Sequence, residues 1–135
     1  MTAEIIYTGE LRTDCKHVKS GTTIETDAPT DNKGKGERFS PSDLIAAALG
    51  SCIITTIGIK MEEGDLNFSG TKVSVTKVMV SNPRRVGEFI VDIRFPKELQ
   101  LDDKQKTMVE NLAHACPVAK SLHPDLKQTI NFLYD

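Results

Sequence analysis

The chain has 135 residues, enough for one domain, 1–135, around one core. A net charge of −2, 5% aromatic residues and no Trp give no case for a nucleic-acid or anionic-membrane partner. Three cysteines, and an N-terminus (MTAEIIYTGE) without a basic-then-apolar pattern, argue against a secreted disulfide scaffold and predict a cytoplasmic protein.

In chain order, Glu4 to Leu11 reads as a first strand, Cys15 to Val18 as a second and Thr22 to Thr26 as a third, with a turn at Ser20-Gly21. Residues 27–37 (DAPTDNKGKGE) are a loop by composition. Its Gly34 and Gly36 read as turn flexibility. No strand runs directly into them, and no third glycine follows at phosphate-binding spacing. The stretch 38–63 is the organising element, a lead-in followed by a helix. Ser40 caps it, Pro41 takes the first helical position, Asp43 stands where a capping-box acid belongs, and Gly64 can close it. From Leu44 to Ile59 there are 16 residues without a charge, short of the ~20 that a membrane span needs.

Phe68 to Val80 reads as a long strand. Its apolar phase changes between Val75 and Val78, which predicts a bulge near Thr76-Lys77. Asn82-Pro83 is a turn. Val86 to Phe95 is the clearest strand, with Phe89, Val91, Ile93 and Phe95 on one face. Asp102 and Asp103 open a second helix, whose apolar face carries Met108, Val109, Leu112, Ala113 and Cys116. Pro117 interrupts it, 118–122 forms a short third helix, and 127–134 a last strand. The order βββ-α-ββ-αα-β, with helices segregated from mainly antiparallel strands, is an α+β class. A helix apolar on every side must be covered on every side, and one small sheet cannot do that. The expectation is therefore a homodimer with the central helices buried between two antiparallel sheets. Gly50 and Gly58, near one face, would let backbones approach closely.

Two cysteines stand out. Cys52 lies mid-helix, and Cys116 lies beside Pro117 on an apolar face. Each can be a small buried hydrophobe, and two helical thiols facing one interior can also meet. Burial would raise the Cys52 thiol unless a cation stands near it. Arg12 and Arg38 are the candidate cations, and surface charge is the plainer reading of each. Asp43 reads first as a capping acid. Arg84 and Arg85 read as an exposed turn doublet. His114 and His123 flank Cys116, but the i, i+2 spacing of His114 and Cys116 points them to different faces, so no metal site is expected. Cys15 has no motif around it.

The run Phe39 to Cys52 (FSPSDLIAAALGSC) resembles the helix start and cysteine motif of the OsmC/Ohr family, the osmotically inducible and organic-hydroperoxide-resistance proteins. Ala115 to Leu122 (ACPVAKSL) resembles that family's second cysteine motif, and Thr26 to Pro29 (TDAP) also fits. The resemblance covers nearly the whole chain and implies an OsmC-like fold in an intertwined homodimer, with active sites at the subunit interface. It implies a thiol-dependent peroxidase with Cys52 peroxidatic and Cys116 resolving, joined in a transient Cys52–Cys116 disulfide. An external dithiol would be the reductant and no cofactor would be needed. Apolar pocket walls would favour organic hydroperoxides, and an arginine would stabilise the thiolate. Two positions depart from the family pattern. Ser42, with Asp43 after it, stands where a glutamate is usual, and Asn32 and Lys33 stand near the usual arginine position. Arg38 or Arg12, from the same or a partner subunit, could substitute. A non-enzymatic redox sensor, or a binder of small apolar ligands on the same fold, is the alternative.

Overall fold

The structure, a computed structural model, describes residues 1–135. Ten elements follow one another: β1 (Ala3–Gly9), β2 (Arg12–His17), β3 (Thr23–Asp27), a 3-10 turn (Thr30–Asn32), α1 (Pro41–Met61), β4 (Lys72–Val80), β5 (Arg85–Arg94), α2 (Asp103–His114), α3 (Pro117–Ser121) and β6 (Lys127–Leu133). This is the expected α+β order. The chain divides into two compact units, Met1–Ile45 and Ala46–Asp135.

The first unit is an antiparallel sheet, β1-β2-β3, and the loop that follows it. β1 stops earlier than expected and β2 starts earlier. Gly9, Glu10 and Leu11 all take positive φ, so Leu11 lies in a turn and not in a strand. Register aligns Ile5, Cys15 and Ile24 across one face, and Ile6, Asp14 and Glu25 across the other. No apolar side chain of this unit is buried, and Ile5, Ile6, Tyr7 and Ile24 are exposed. Its buried residues are Thr26, Asp27 and Ser40. Asp27 accepts two hydrogen bonds from Arg12, at 2.6 and 2.8 Å, and one from the Glu37 backbone at 3.1 Å. This carboxylate therefore ties the sheet to the end of the 28–37 loop. Within that loop, Gly34 is required by close approach, because a Cβ there would run into the Ala28 carbonyl.

The second unit is a sheet in the order β4-β5-β6. β4 and β5 are antiparallel, but β5 and β6 are parallel, so this sheet is mixed where two antiparallel sheets were expected. The connection through α2 and α3 is the crossover that a parallel pair needs. β4 begins at Lys72, since Phe68 to Thr71 is a turn closed by the Thr71 amide on the Phe68 carbonyl at 3.0 Å. The bulge is not at Thr76-Lys77. Pairing is regular as far as Val78↔Glu88, and the extra residue is Gly87 on β5. Val78 and Val80 lie on the outer face, while Val73, Val75 and Met79 keep one inward phase. Asn82-Pro83 forms the expected turn, with a cis peptide bond.

Phe89, Val91 and Ile93 are fully buried on the inner face, as their alternation predicts. Helix α1 supplies the opposing stripe: Ala46, Leu49, Gly50, Ile53, Ile57 and Met61. Leu49, Ile53 and Ile57 are fully buried, each worth roughly 1.5–3 kcal/mol of transfer free energy. Gly50 lets α1 close on β4, since a Cβ there would stand 2.9 Å from Val75 Cγ2. Its smallness thus serves packing within this unit. Gly58, by contrast, has only the Glu62 side chain near it. Helix α1 ends at Met61, short of Gly64. At 21 residues it outruns the uncharged segment and is long and apolar enough to cross a membrane, by length and composition alone. Ile45, Ala48, Ser51, Thr55 and Ile59, away from the buried stripe, stay exposed.

α2 opens on a capping box. Asp102 accepts from the Gln105 amide at 2.8 Å, and the Gln105 side chain accepts from the Asp102 amide at 2.9 Å. Val109 and Ala113 are its buried positions.

The Arg12–Asp27 pair carries a pH consequence. The Arg12 hydrogen bonds hold the Asp27 carboxyl below its ordinary range. Its contribution to stability is then complete at neutral pH, declines as pH falls through the ordinary carboxylate range, and is gone below the folded value. Asp27→Asn should lower stability at pH 7 and flatten the acid-side loss between about pH 5 and pH 2. Urea unfolding of both proteins at stepped pH measures this, and equal slopes would contradict it.

Candidate functional site: a thiol pair and an arginine–carboxylate cluster

In the second unit, the fully buried positions at Leu49, Ile53 and Ile57 fix the rotation of α1 and put Cys52 on the flank of the stripe. There it is half-buried and packs against the core. Its sulfur lies 3.9 Å from the Thr56 hydroxyl, one turn along the helix.

Cys116 is fully buried. It does not belong to α2, whose last residue is His114. It is the N-cap of α3, with Pro117 at the first helical position. Its sulfur accepts a hydrogen bond from the Ala119 amide at 3.4 Å. Burial pushes the Cys116 thiol up most strongly; the Ala119 amide opposes this, and hydrogen bonding and charge from Cys52 push it up further. Both side chains belong to one core: Cys116 lies within the buried cluster and Cys52 packs against it. Both are free thiols, as is Cys15. Cys15 lies on β2 in the first unit, 3.6 Å from the Thr13 hydroxyl.

The predicted supporting residues fall in the first unit. Arg12 is engaged by Asp27 on both sides of its guanidinium fork and by Glu37 at 3.3 Å. These partners hold it charged at any accessible pH. Arg38 donates to Glu25 at 3.3 Å and to the Glu37 carbonyl at 3.1 Å, and is more exposed. Asp43 is the capping acid. It accepts from the Ser40 amide at 3.0 Å, while its own amide donates to the Ser40 hydroxyl at 3.1 Å. Ser42 has its hydroxyl 3.3 Å from that of Ser40. Ile24, Glu25, Glu37, Arg38, Phe39 and Asp43 line an open cleft of about 470 Å³.

Sequence reading missed Asp27, Glu25 and Glu37 as partners of the two arginines, and Thr56 as the neighbour of Cys52. The hairpin register about the Ser20-Gly21 turn sets Arg12 opposite Asp27, so that pair had a signal. Thr56 had one too, four residues from Cys52 on a helix. No group of histidine, cysteine and acidic side chains has the arrangement of a metal site.

With this geometry in hand, the chain can be set beside known proteins. The family model described as OsmC-like protein matches residues 34–131. A comparison with curated proteins finds no match. Among solved structures, a protein from Psychrobacter arcticus 273-4 is 48% identical over 98% of this chain and 95% of its own, with a TM-score of 0.92. It is provisionally described as an osmotic stress induced and detoxification response protein. An organic hydroperoxide resistance protein OsmC from Legionella pneumophila is 12% identical over 98% of this chain and 97% of its own, with a TM-score of 0.76. A provisionally described organic hydroperoxide resistance protein from Vibrio cholerae, with captopril bound in one of its active sites, is 13% identical over 98% and 91%, with a TM-score of 0.73. At such identities the last two speak for the fold alone. The family match over most of the chain, with the P. arcticus relative beside it, shows that this protein belongs to the OsmC-like family.

Proposed function

We propose that the protein is a thiol-dependent hydroperoxide reductase acting as a homodimer, with Cys52 the attacking thiol and Cys116 the resolving one. Membership of the OsmC-like family points to a peroxide-related stress role. The observation that carries the finer reading is a half-buried Cys52 packed against the core cluster that holds a fully buried Cys116.

In the proposed cycle the Cys52 thiolate attacks one peroxide oxygen and the O–O bond breaks. An alkoxide leaves and takes a proton as alcohol. Sulfur loses two electrons and becomes a sulfenic acid. The Cys116 sulfur then attacks the Cys52 sulfur, and hydroxide departs as water with the proton that Cys116 gives up. An external dithiol reduces the resulting disulfide by exchange. The apolar side chains packed around both sulfurs suit an organic hydroperoxide better than hydrogen peroxide.

Two uncovered surfaces support a second copy of the chain. One is the face of α1 carrying Ile45 and Ile59, and the other is the β1-β2-β3 sheet with Ile5 and Ile24. Sedimentation should give twice 14.9 kDa at micromolar concentration; a stable species of 14.9 kDa would contradict the dimer.

A second reading, a redox sensor, is favoured by one observation. Arg12 is already matched by two carboxylates, which weakens its claim to activate a thiol. Turnover separates the two readings. With cumene hydroperoxide and a dithiol, the wild type should consume peroxide catalytically and Cys52→Ser should lose that activity. Cys116→Ser should leave Cys52 open to sulfinic acid formation. Stoichiometric oxidation without cycling would instead mark a sensor, and unreactive thiols would mark neither.

A further inference from the structure

Helix α1 carries adjacent threonines that treat their hydroxyls differently. Thr55 makes the ordinary backward bonds of a helical threonine, to the Ser51 carbonyl at 2.9 Å and the Cys52 carbonyl at 3.2 Å. Thr56 makes neither. Its hydroxyl turns to the Cys52 sulfur at 3.9 Å, on the half-buried flank of the helix. Helical spacing of four residues stacks the two side chains on one face. The Cys52 sulfur therefore has the Thr56 hydroxyl beside it, and its side chain packs against the core cluster that holds Cys116.

We propose that Thr56 is a positioning residue for Cys52, its hydroxyl donating a hydrogen bond to the sulfur and orienting it for attack. This rests on the reading of Cys52 as the reacting thiol. Helix α1 has no charged residue between Leu44 and Ile59, and its cation, Lys60, stands in the last turn, eight residues beyond Cys52. A neutral donor one turn along the helix is the polar group the structure sets beside the sulfur. Thr56 brings an O–H. A hydroxyl donor gains strength as the sulfur becomes anionic, because a hydrogen bond to an ionised acceptor is stronger than one to a neutral acceptor. Cys116 is the titratable group that the structure pairs with the sulfur, so the test is run with Cys116 present and again with Cys116→Ala.

The test is the rate of Cys52 alkylation by iodoacetamide as a function of pH, read on the Cys52 peptide by mass spectrometry. Thr56→Val keeps the shape and removes the hydroxyl. It should slow alkylation at neutral pH about fivefold, the scale of one lost hydrogen bond, and displace the profile toward alkaline pH. Thr56→Ser, which keeps the hydroxyl, should stay within about twofold of wild type. Thr56→Ala, well tolerated in a helix, should behave as Thr56→Val if the valine variant folds poorly. Coincident profiles for wild type and Thr56→Val would overturn the proposal. So would a Thr56→Ser profile matching that of Thr56→Val, since the methyl group would then be what matters. A Cys52 whose alkylation depends on the hydroxyl in a protein that consumes no hydroperoxide would support the positioning role and defeat the peroxidase reading. A Cys52 unreactive at every pH would defeat both.

Discussion

The rotation of α1 about its own axis is the constraint on which the rest depends. Leu49, Ile53 and Ile57 are fully buried, and Gly50 lets the helix close on Val73 and Val75. Once those positions face inward, Cys52 has no choice of direction. It stands on the flank, half-buried, against the core cluster to which the α2–α3 junction delivers Cys116. A rotation of one residue, about 100°, would bury Cys52 completely or turn it away. The placement of Cys52 is thus a by-product of ordinary core packing.

The same helix leaves a second requirement unmet within one chain. It is apolar around its whole circumference but buried along one stripe, and the β1-β2-β3 sheet buries no apolar side chain of its own. What fixes the geometry of that first unit is polar. Arg12 grips Asp27 through both carboxylate oxygens, and Asp27 in turn holds the Glu37 amide. A small sheet built on an ion pair and lacking a core is incomplete by itself. This is the physical reason to expect a second copy of the chain.

Much of this was legible in the residues. Phe89, Val91 and Ile93 alternate strictly and are buried, Pro41 begins α1, and Asp102 opens α2 as its position suggests. What escaped was decided at a distance. The parallel pairing of β6 is a choice of neighbour, and no local pattern in 127–134 encodes it. Val78 and Val80 look like a phase slip because an outer face can also carry valine. Leu11 reads as a strand residue and adopts φ +63 in a turn. Gly50 looks free to meet another helix, and its neighbour proves to be β4. Of the site, the two motif cysteines were visible from the start, and the capping role of Asp43 with them. The acidic partners of Arg12 and Arg38 needed the strand register.

The most direct test of the account is to treat the reduced protein with one equivalent of an organic hydroperoxide and map the disulfide by peptide mass spectrometry. The account predicts a bond between Cys52 and Cys116 within one chain, with Cys15 still a free thiol. A bridge that includes Cys15, or a Cys52 and Cys116 that both stay reduced while peroxide is consumed, would contradict it.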